Sequence, residues 1–275
     1  CSGLSELVKD VRGNGYYGGL RLVKAAMKKF AEYCSNSGIV LHGRNFAVRY
    51  ETDIPRGVGL GGSSAIVTAM MRAMGRFYNV KIRKEILPNL VLASETEELG
   101  ITAGLQDRVC QVFEGAVYMD FNAEHMKKHG HGKYEYIGKV LLPPLFVAYD
   151  NSLGEPSDVQ HRKMKERYMQ GDKRVRDSMD CMASLAEEAM KCLRKKDWTN
   201  FGIKMDANFN LRKGIFHLDA RHVRMVEAAR SCGANVNFAG SGGAISGLYR
   251  GEKMLKRLTK ELEKINCRVI LPQIY

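Results

Sequence analysis

The sequence lacks any run of about 18 apolar residues, so no segment of it reads as a helix crossing a bilayer. Its first twenty residues also lack the basic stretch leading into a short apolar segment that marks a secretory signal. Cys-x-x-Cys pairs are absent. The seven cysteines (Cys1, Cys34, Cys110, Cys181, Cys192, Cys232 and Cys267) are odd in number and widely spaced, which fits reduced thiols in a cytoplasmic protein rather than a disulfide framework. No internal repeat or low-complexity tract occurs, which excludes a solenoid. His125, His129 and His131 lie close together, but no cysteine or carboxylate pattern of a known metal site accompanies them, so a solvated loop is the favoured reading over a metal site.

What is present suits an ordered enzyme. A chain of 275 residues accommodates about two domains. Its 45% apolar and 27% charged residues are ordinary for a globular protein. The net charge of +13 attracts anions of every kind, from nucleic acid to nucleotide phosphate, without choosing among them. The basic residues are scattered along helices instead of alternating with stacking aromatics, so no nucleic-acid partner is expected.

Leu20, Val23, Met27, Phe30 and Cys34 recur at helical spacing and predict an amphipathic helix closing around Gly38. Asn45 to Glu51 alternates apolar and polar side chains and predicts a strand. A glycine-rich turn from Pro55 to Gly62 then opens a helix from Ser63 to about Tyr78, with Ile66, Met70, Ala73 and Phe77 as its apolar face. Further helices are expected over 88–99 and 105–113, a strand over 115–121, and a polar loop over 122–138. A domain boundary is placed near residue 140, giving domains 1–140 and 141–275. The second half reads as a strand at 145–149, three or four helices over 158–231, and strands at 235–239, 244–249 and 267–274 around a helix at 252–264.

The densest chemical signal is Pro55-Arg-Gly57-Val-Gly59-Leu60-Gly61-Gly62-Ser63-Ser64-Ala65. Glycines let the backbone approach a ligand, and a helix start offers unpaired N–H groups and a positive dipole end to phosphate oxygens. Gly57, Gly59 and Gly62 also satisfy the dinucleotide fingerprint, yet Pro55 interrupts the strand that fingerprint needs. A Walker-type loop requires lysine after the last glycine, and Ser63 stands there instead. A purely structural turn before a helix is the remaining alternative.

This segment resembles the phosphate-binding motif of the GHMP kinases. Two further segments agree in order: Glu95-Thr-Glu-Glu-Leu-Gly100 followed by Ala103-Gly-Leu-Gln-Asp107-Arg108, and Asn237-Phe-Ala-Gly240-Ser241-Gly242-Gly243. Gly15-Tyr-Tyr-Gly-Gly19, Pro88-Asn-Leu-Val-Leu92, Val117-Tyr-Met-Asp-Phe121 and Pro156-Ser-Asp158 are similar to the glucuronokinase branch of that family. The resemblance implies an α+β two-domain fold, with a first domain like ribosomal protein S5 domain 2 and a ferredoxin-like second domain. It further implies that Pro55, Gly57, Gly59 to Ala65 and Gly240 to Gly243 bind ATP, that Ser64 and Glu95 hold Mg²⁺, and that Asp107, aided by Arg108, acts on the sugar hydroxyl.

The implied substrate is a uronic acid phosphorylated at its anomeric hydroxyl. Another family sugar kinase (for galacturonate, arabinose, fucose or a heptose phosphate) or a catalytically silent sensor stands as the alternative. Read without the resemblance, Glu95 is one of an acidic cluster with Glu97 and Glu98 that suits a solvated helix face, Asp107 suits a helix start, and Gly240 to Gly243 suits a hairpin turn. The family's first motif, an N-terminal strand and loop that helps hold substrate, has no counterpart in this sequence, so the first domain is expected to lack its first strands.

Overall fold

A computed structural model describes residues 3–16, 18–55, 57–151, 158–240 and 242–274. Ser241, Tyr17, Pro156 and Ser157, singled out above, lie outside these residues. Contacts divide the chain into two units, one comprising Cys1–Ile54 with Gly61–Tyr136, the other Pro55–Leu60 with Ile137–Tyr275. Residues 55–60 therefore pack with the second unit, where a division near 140 assigns them to the first.

The first unit is mainly helical. It contains α1 (Leu4–Asn14), α2 (Arg21–Asn36), α3 (Gly62–Phe77), α4 (Leu87–Leu99) and α5 (Leu105–Phe113), followed by β1 (Ala116–Asp120), α6 (Ala123–His129) and β2 (Lys133–Ile137). The region 122–138, expected as a loop, thus holds a helix and a strand. Asn122 accepts a hydrogen bond from the His125 amide and so starts α6, while β2 pairs with β1 in a two-stranded sheet.

In α2 the predicted face is buried from Val23 through Met27 and Phe30 to Cys34, but Leu20 precedes the helix and is 54% exposed. In α3 Met70 of the predicted face is buried and Ile66 and Phe77 pack against the same core, but Ala73 is exposed and the buried face extends instead through Val67, Met71 and Met74. The cause is the neighbours: Met71 and Met74 pack with Phe30, Met27 and Val91 in one core, where each fully buried side chain contributes roughly 1.5–3 kcal/mol.

The strand expected over 45–51 does not form. Phe46 packs edge-on against Phe77 at 5.0 Å, but Val48 and Tyr50 remain 41% and 39% exposed. Alternation alone makes no strand without a partner chain for its amides, and among the described residues none pairs with this segment.

Glu98 ties α4 to α2 and to the segment after α1. Its carboxylate accepts hydrogen bonds from Lys28 Nζ at 2.6 Å and Tyr16 Oη at 2.7 Å, and lies 3.0 Å from Lys29 Nζ. Burial pushes its pKa up, but these hydrogen bonds outweigh burial and hold it below the ordinary value of 4.5. A carboxyl depressed in the folded state adds stability that is complete above its unfolded pKa and is lost as pH falls through the folded one. Glu98→Gln is expected to lower the unfolding free energy at pH 7 by about 2 kcal/mol. Urea titrations at pH 7 and pH 3 check this, because the gap between wild type and variant closes at the acid end.

The second unit is an antiparallel four-stranded sheet in the order β4-β5-β3-β6, with β3 (Leu145–Asp150), β4 (Asn235–Ala239), β5 (Ala244–Leu248) and β6 (Cys267–Ile270). Val147 stands opposite both Ser246 and Ile270, so β3 is an inner strand. Helices α7 (Asp158–Met169), α8 (Lys173–Arg194), α9 (Trp198–Ile215), α10 (Ala220–Ser231) and α11 (Gly251–Glu263) accompany the sheet. Phe146, Ala148, Val236 and Ile245 are completely buried with Phe209, Val226, Leu258 and Leu262 from the helices. The last strand is shorter than expected and ends at Ile270, with Leu271 51% exposed. Asp206 fastens α9 to the sheet, accepting from Arg230 Nε at 3.0 Å, Asn235 Nδ2 at 2.6 Å and the Val236 amide at 3.0 Å.

Candidate active site

In the first unit the site is built around the start of α3. Gly61 takes a left-handed conformation (φ 68°) that turns the chain into the helix, and its carbonyl accepts the Ser64 hydroxyl at 2.8 Å and the Ala65 amide at 3.0 Å. Ser64 is completely buried by this arrangement. Ser63 instead donates its hydroxyl to Glu95 Oε1 at 2.6 Å. Of the two serines, Ser63 therefore faces the acidic residue, whereas the sequence reading pairs Ser64 with it.

Glu95 is 0% exposed and sits on the last turns of α4, which Gly100 ends in a left-handed cap. Its other oxygen, Oε2, accepts both Nε and Nη2 of Arg108, at 2.8 and 2.5 Å. Arg108 is itself 5% exposed, and its Nη1 reaches the Gly104 carbonyl at 3.1 Å. A planar guanidinium meets one carboxylate oxygen through two N–H groups, so each buried charge is neutralised where water is excluded. Within the acidic cluster, Glu95 and Glu98 face inward while Glu97 has a side chain 63% exposed. Only part of that cluster is a solvated face.

Asp107 stands in the first turn of α5, beside Arg108 but only loosely joined to it, with Nη1 to Oδ2 at 3.5 Å. Its side chain is 46% exposed, leaving a carboxylate open to an incoming hydroxyl. Gly61, Ser64 and Asp107 lie together, because a Cβ added at Gly61 would come 3.3 Å from Ser64 Oγ and 3.8 Å from Asp107 Cβ. Gln111 Nε2 would be 3.4 Å from the same point. Sequence reasoning passed over Gln111, although its place one turn after Asp107 puts the two on one helix face.

In the second unit the two glycine turns meet. Val58 is 4% exposed and packs with Tyr149 and Ala244. Gly59 (φ 74°) lies so close to the other turn that a Cβ there would come 2.1 Å from the Gly242 carbonyl oxygen. A Cβ at Gly243 (φ 84°) would come 3.0 Å from the Val58 carbonyl carbon. These glycines are required by backbone touching backbone, so Gly240 to Gly243 is more than a hairpin turn. Gly57 also has a left-handed φ of 73°, and Pro55 and Leu60 are half-buried.

Among the described residues, no group of three or more His, Cys, Asp or Glu side chains is arranged to hold a metal ion. His125, His129 and His131 have ring centroids 4.3 to 6.1 Å apart on and after α6. No helix among the described residues is long and apolar enough to cross a membrane.

Residues 21–115 match the family model described as "GHMP kinases N terminal domain". Over 268 residues the chain is 45% identical to probable glucuronokinase 2 of Arabidopsis thaliana, and over 267 residues 43% identical to glucuronokinase 1 of the same plant. Each match covers 95% of this chain and 73% of the relative. The mevalonate kinase of Methanococcus jannaschii superposes with a TM-score of 0.67 at 18% identity, covering 99% of this chain and 80% of that one, a likeness of fold. The serine pair at a helix start, the inward glutamate on α4 and the open aspartate on α5 thus sit in a chain that belongs to the GHMP kinase family, within its glucuronokinase branch.

Proposed function

We propose that the chain is an ATP-dependent kinase that phosphorylates the anomeric hydroxyl of D-glucuronate, giving glucuronate 1-phosphate and ADP. The observation that carries this reading is identity of 45% and 43% to two glucuronokinases over nearly the whole chain. The side chains around α3 supply a consistent chemistry. ATP phosphates lie along Pro55, Gly57 and Gly59 to Ala65, where free amides at the helix start face negative oxygens. Gly240, Ser241, Gly242 and Gly243 join that loop in binding ATP, with Gly242 against Gly59.

Asp107 takes the proton of the anomeric hydroxyl as its oxygen bonds to the γ-phosphorus and the bond to the β–γ bridging oxygen breaks. Arg108 holds the neighbouring charges in place. The residues also fit Mg²⁺: Glu95 and a hydroxyl of the Ser63–Ser64 pair are hard oxygen donors, and Ser63 is the hydroxyl facing Glu95 here. Mg²⁺ characteristically draws its remaining ligands from water and phosphate, so one carboxylate and one hydroxyl suffice, and when bound it neutralises phosphate charge. The free thiols of Cys34, Cys110, Cys181, Cys192, Cys232 and Cys267 support a cytoplasmic setting.

The test is ADP release by the intact protein with glucuronate, galacturonate, arabinose, fucose and a heptose 7-phosphate in turn. Glucuronate is expected to exceed each neutral sugar in kcat/KM by more than about 100-fold, since a site built to pair a carboxylate leaves its charged partner unpaired with a neutral sugar. Turnover confined to neutral sugars would reject the substrate and keep the kinase. ATP binding without turnover on any sugar would replace the enzyme by a sensor.

A further inference from the structure

Arg212 projects from the last turns of α9 onto the second glycine turn. Its Nη2 donates to the Gly240 carbonyl, and its guanidinium lies over the faces of Phe216 and Phe238, 5.9 and 5.7 Å from their ring centres. Phe238 is 5% exposed and lies two residues before Gly240 on β4, so the arginine is held from the side on which the turn begins. The helix bearing it is held to the same strand by Asp206, six residues earlier. Arg212 is partly exposed, and partial burial pulls the guanidinium below its ordinary pKa.

The held carbonyl belongs to a turn that touches the first loop directly. A Cβ at Gly240 (φ 60°) would come 3.2 Å from the Gly59 carbonyl oxygen, while Gly59 and Gly243 meet Gly242 and Val58 as described above. Left-handed glycines keep one shape only when something over-determines it, because glycine has many other conformations open to it. Among the described residues, Arg212 is a side chain that supplies such a constraint at Gly240.

We infer that Arg212 is a positioning residue for the nucleotide: it fixes the second glycine turn, and through it the Val58–Gly59 loop, in the shape that holds a triphosphate. The inference rests on the reading of that loop as the phosphate cradle.

Calorimetric titration of the intact protein with ATP, beside KM values for ATP and glucuronate, tests it. Arg212→Met is expected to weaken ATP about tenfold through loss of a charge-assisted hydrogen bond. KM for glucuronate is expected to stay within about twofold, because the turn that relaxes lies against the Val58–Gly59 phosphate loop. Arg212→Lys keeps the charge but not the flat stacking group, and is expected to recover part of the ATP affinity. A folded Arg212→Met protein that binds ATP as wild type does, or that loses both substrates equally, overturns the inference. If Arg212→Met does not fold, Arg212→Lys decides on the same two constants: selective weakening toward ATP supports the inference and its absence overturns it. A wild-type protein that binds no ATP overturns the cradle itself, which separates failure of the function from failure of this residue's part in it.

Discussion

Asp107→Asn is expected to lower kcat by a factor of about 10²–10⁴ while leaving ATP affinity and stability nearly unchanged. The side chain is 46% exposed and, among the described residues, its carboxylate is approached by Arg108 at 3.5 Å, so replacing it with an isosteric amide removes a proton acceptor and little else. Stability is expected to move by less than about 0.5 kcal/mol, the usual range for an exposed position. Single-turnover measurement of phosphoryl transfer, with ATP binding followed separately, reads the two effects apart. Retention of wild-type turnover would remove Asp107 from the chemistry and leave the open carboxylate unexplained.

Glu95→Gln is expected to lower the unfolding free energy by about 3–5 kcal/mol, because it removes the buried charge that Arg108 Nε and Nη2 meet and leaves that guanidinium only the loose 3.5 Å approach of Asp107 as an ionic partner. Asp107 and Glu95 thus carry opposite signatures, one chemical and nearly silent in stability, the other strongly structural. The double variant Glu95→Gln with Arg108→Met removes both charges together and is expected to regain most of the lost stability. Its kinase activity is expected to remain low, since the carboxylate charge facing Ser63 is gone. Equilibrium unfolding in urea of the single and double variants measures the coupling. A double variant no more stable than Glu95→Gln alone would show that the pair holds nothing together and that Glu95 is buried for another reason.

Much of the fold was legible because it rests on local signals. α4 ends at Leu99, where its end was expected, with Gly100 as its left-handed cap, and α5 occupies Leu105–Phe113, the span expected for it. The errors fell where a partner decides. Asn45 to Glu51 has the alternation of a strand and no strand beside it. On α3, Ile66, Met70 and Phe77 reach the core as expected, but Met71 and Met74 join Phe30 there in place of the exposed Ala73, because a helix of mixed apolar residues has several possible faces until its neighbour selects one. The helix and strand within 122–138 escaped notice because a polar, histidine-rich composition hides a side-chain cap and a strand partner.

The sequence by itself determined the identities and order of the chemical groups: a glycine-rich helix start with two serines, a glutamate and an aspartate on successive helices, and a second glycine turn. Those are covalent facts, and family membership follows from them. Which serine meets Glu95, which acid is buried, and that Gly59 lies against Gly242 were decided only by the tertiary structure. The same holds for Arg212, one cation among 43 with nothing in its local sequence to mark it. Its distinction is the carbonyl it reaches 28 residues away, and contacts across such separations are set by how helices and strands pack, which no local pattern encodes.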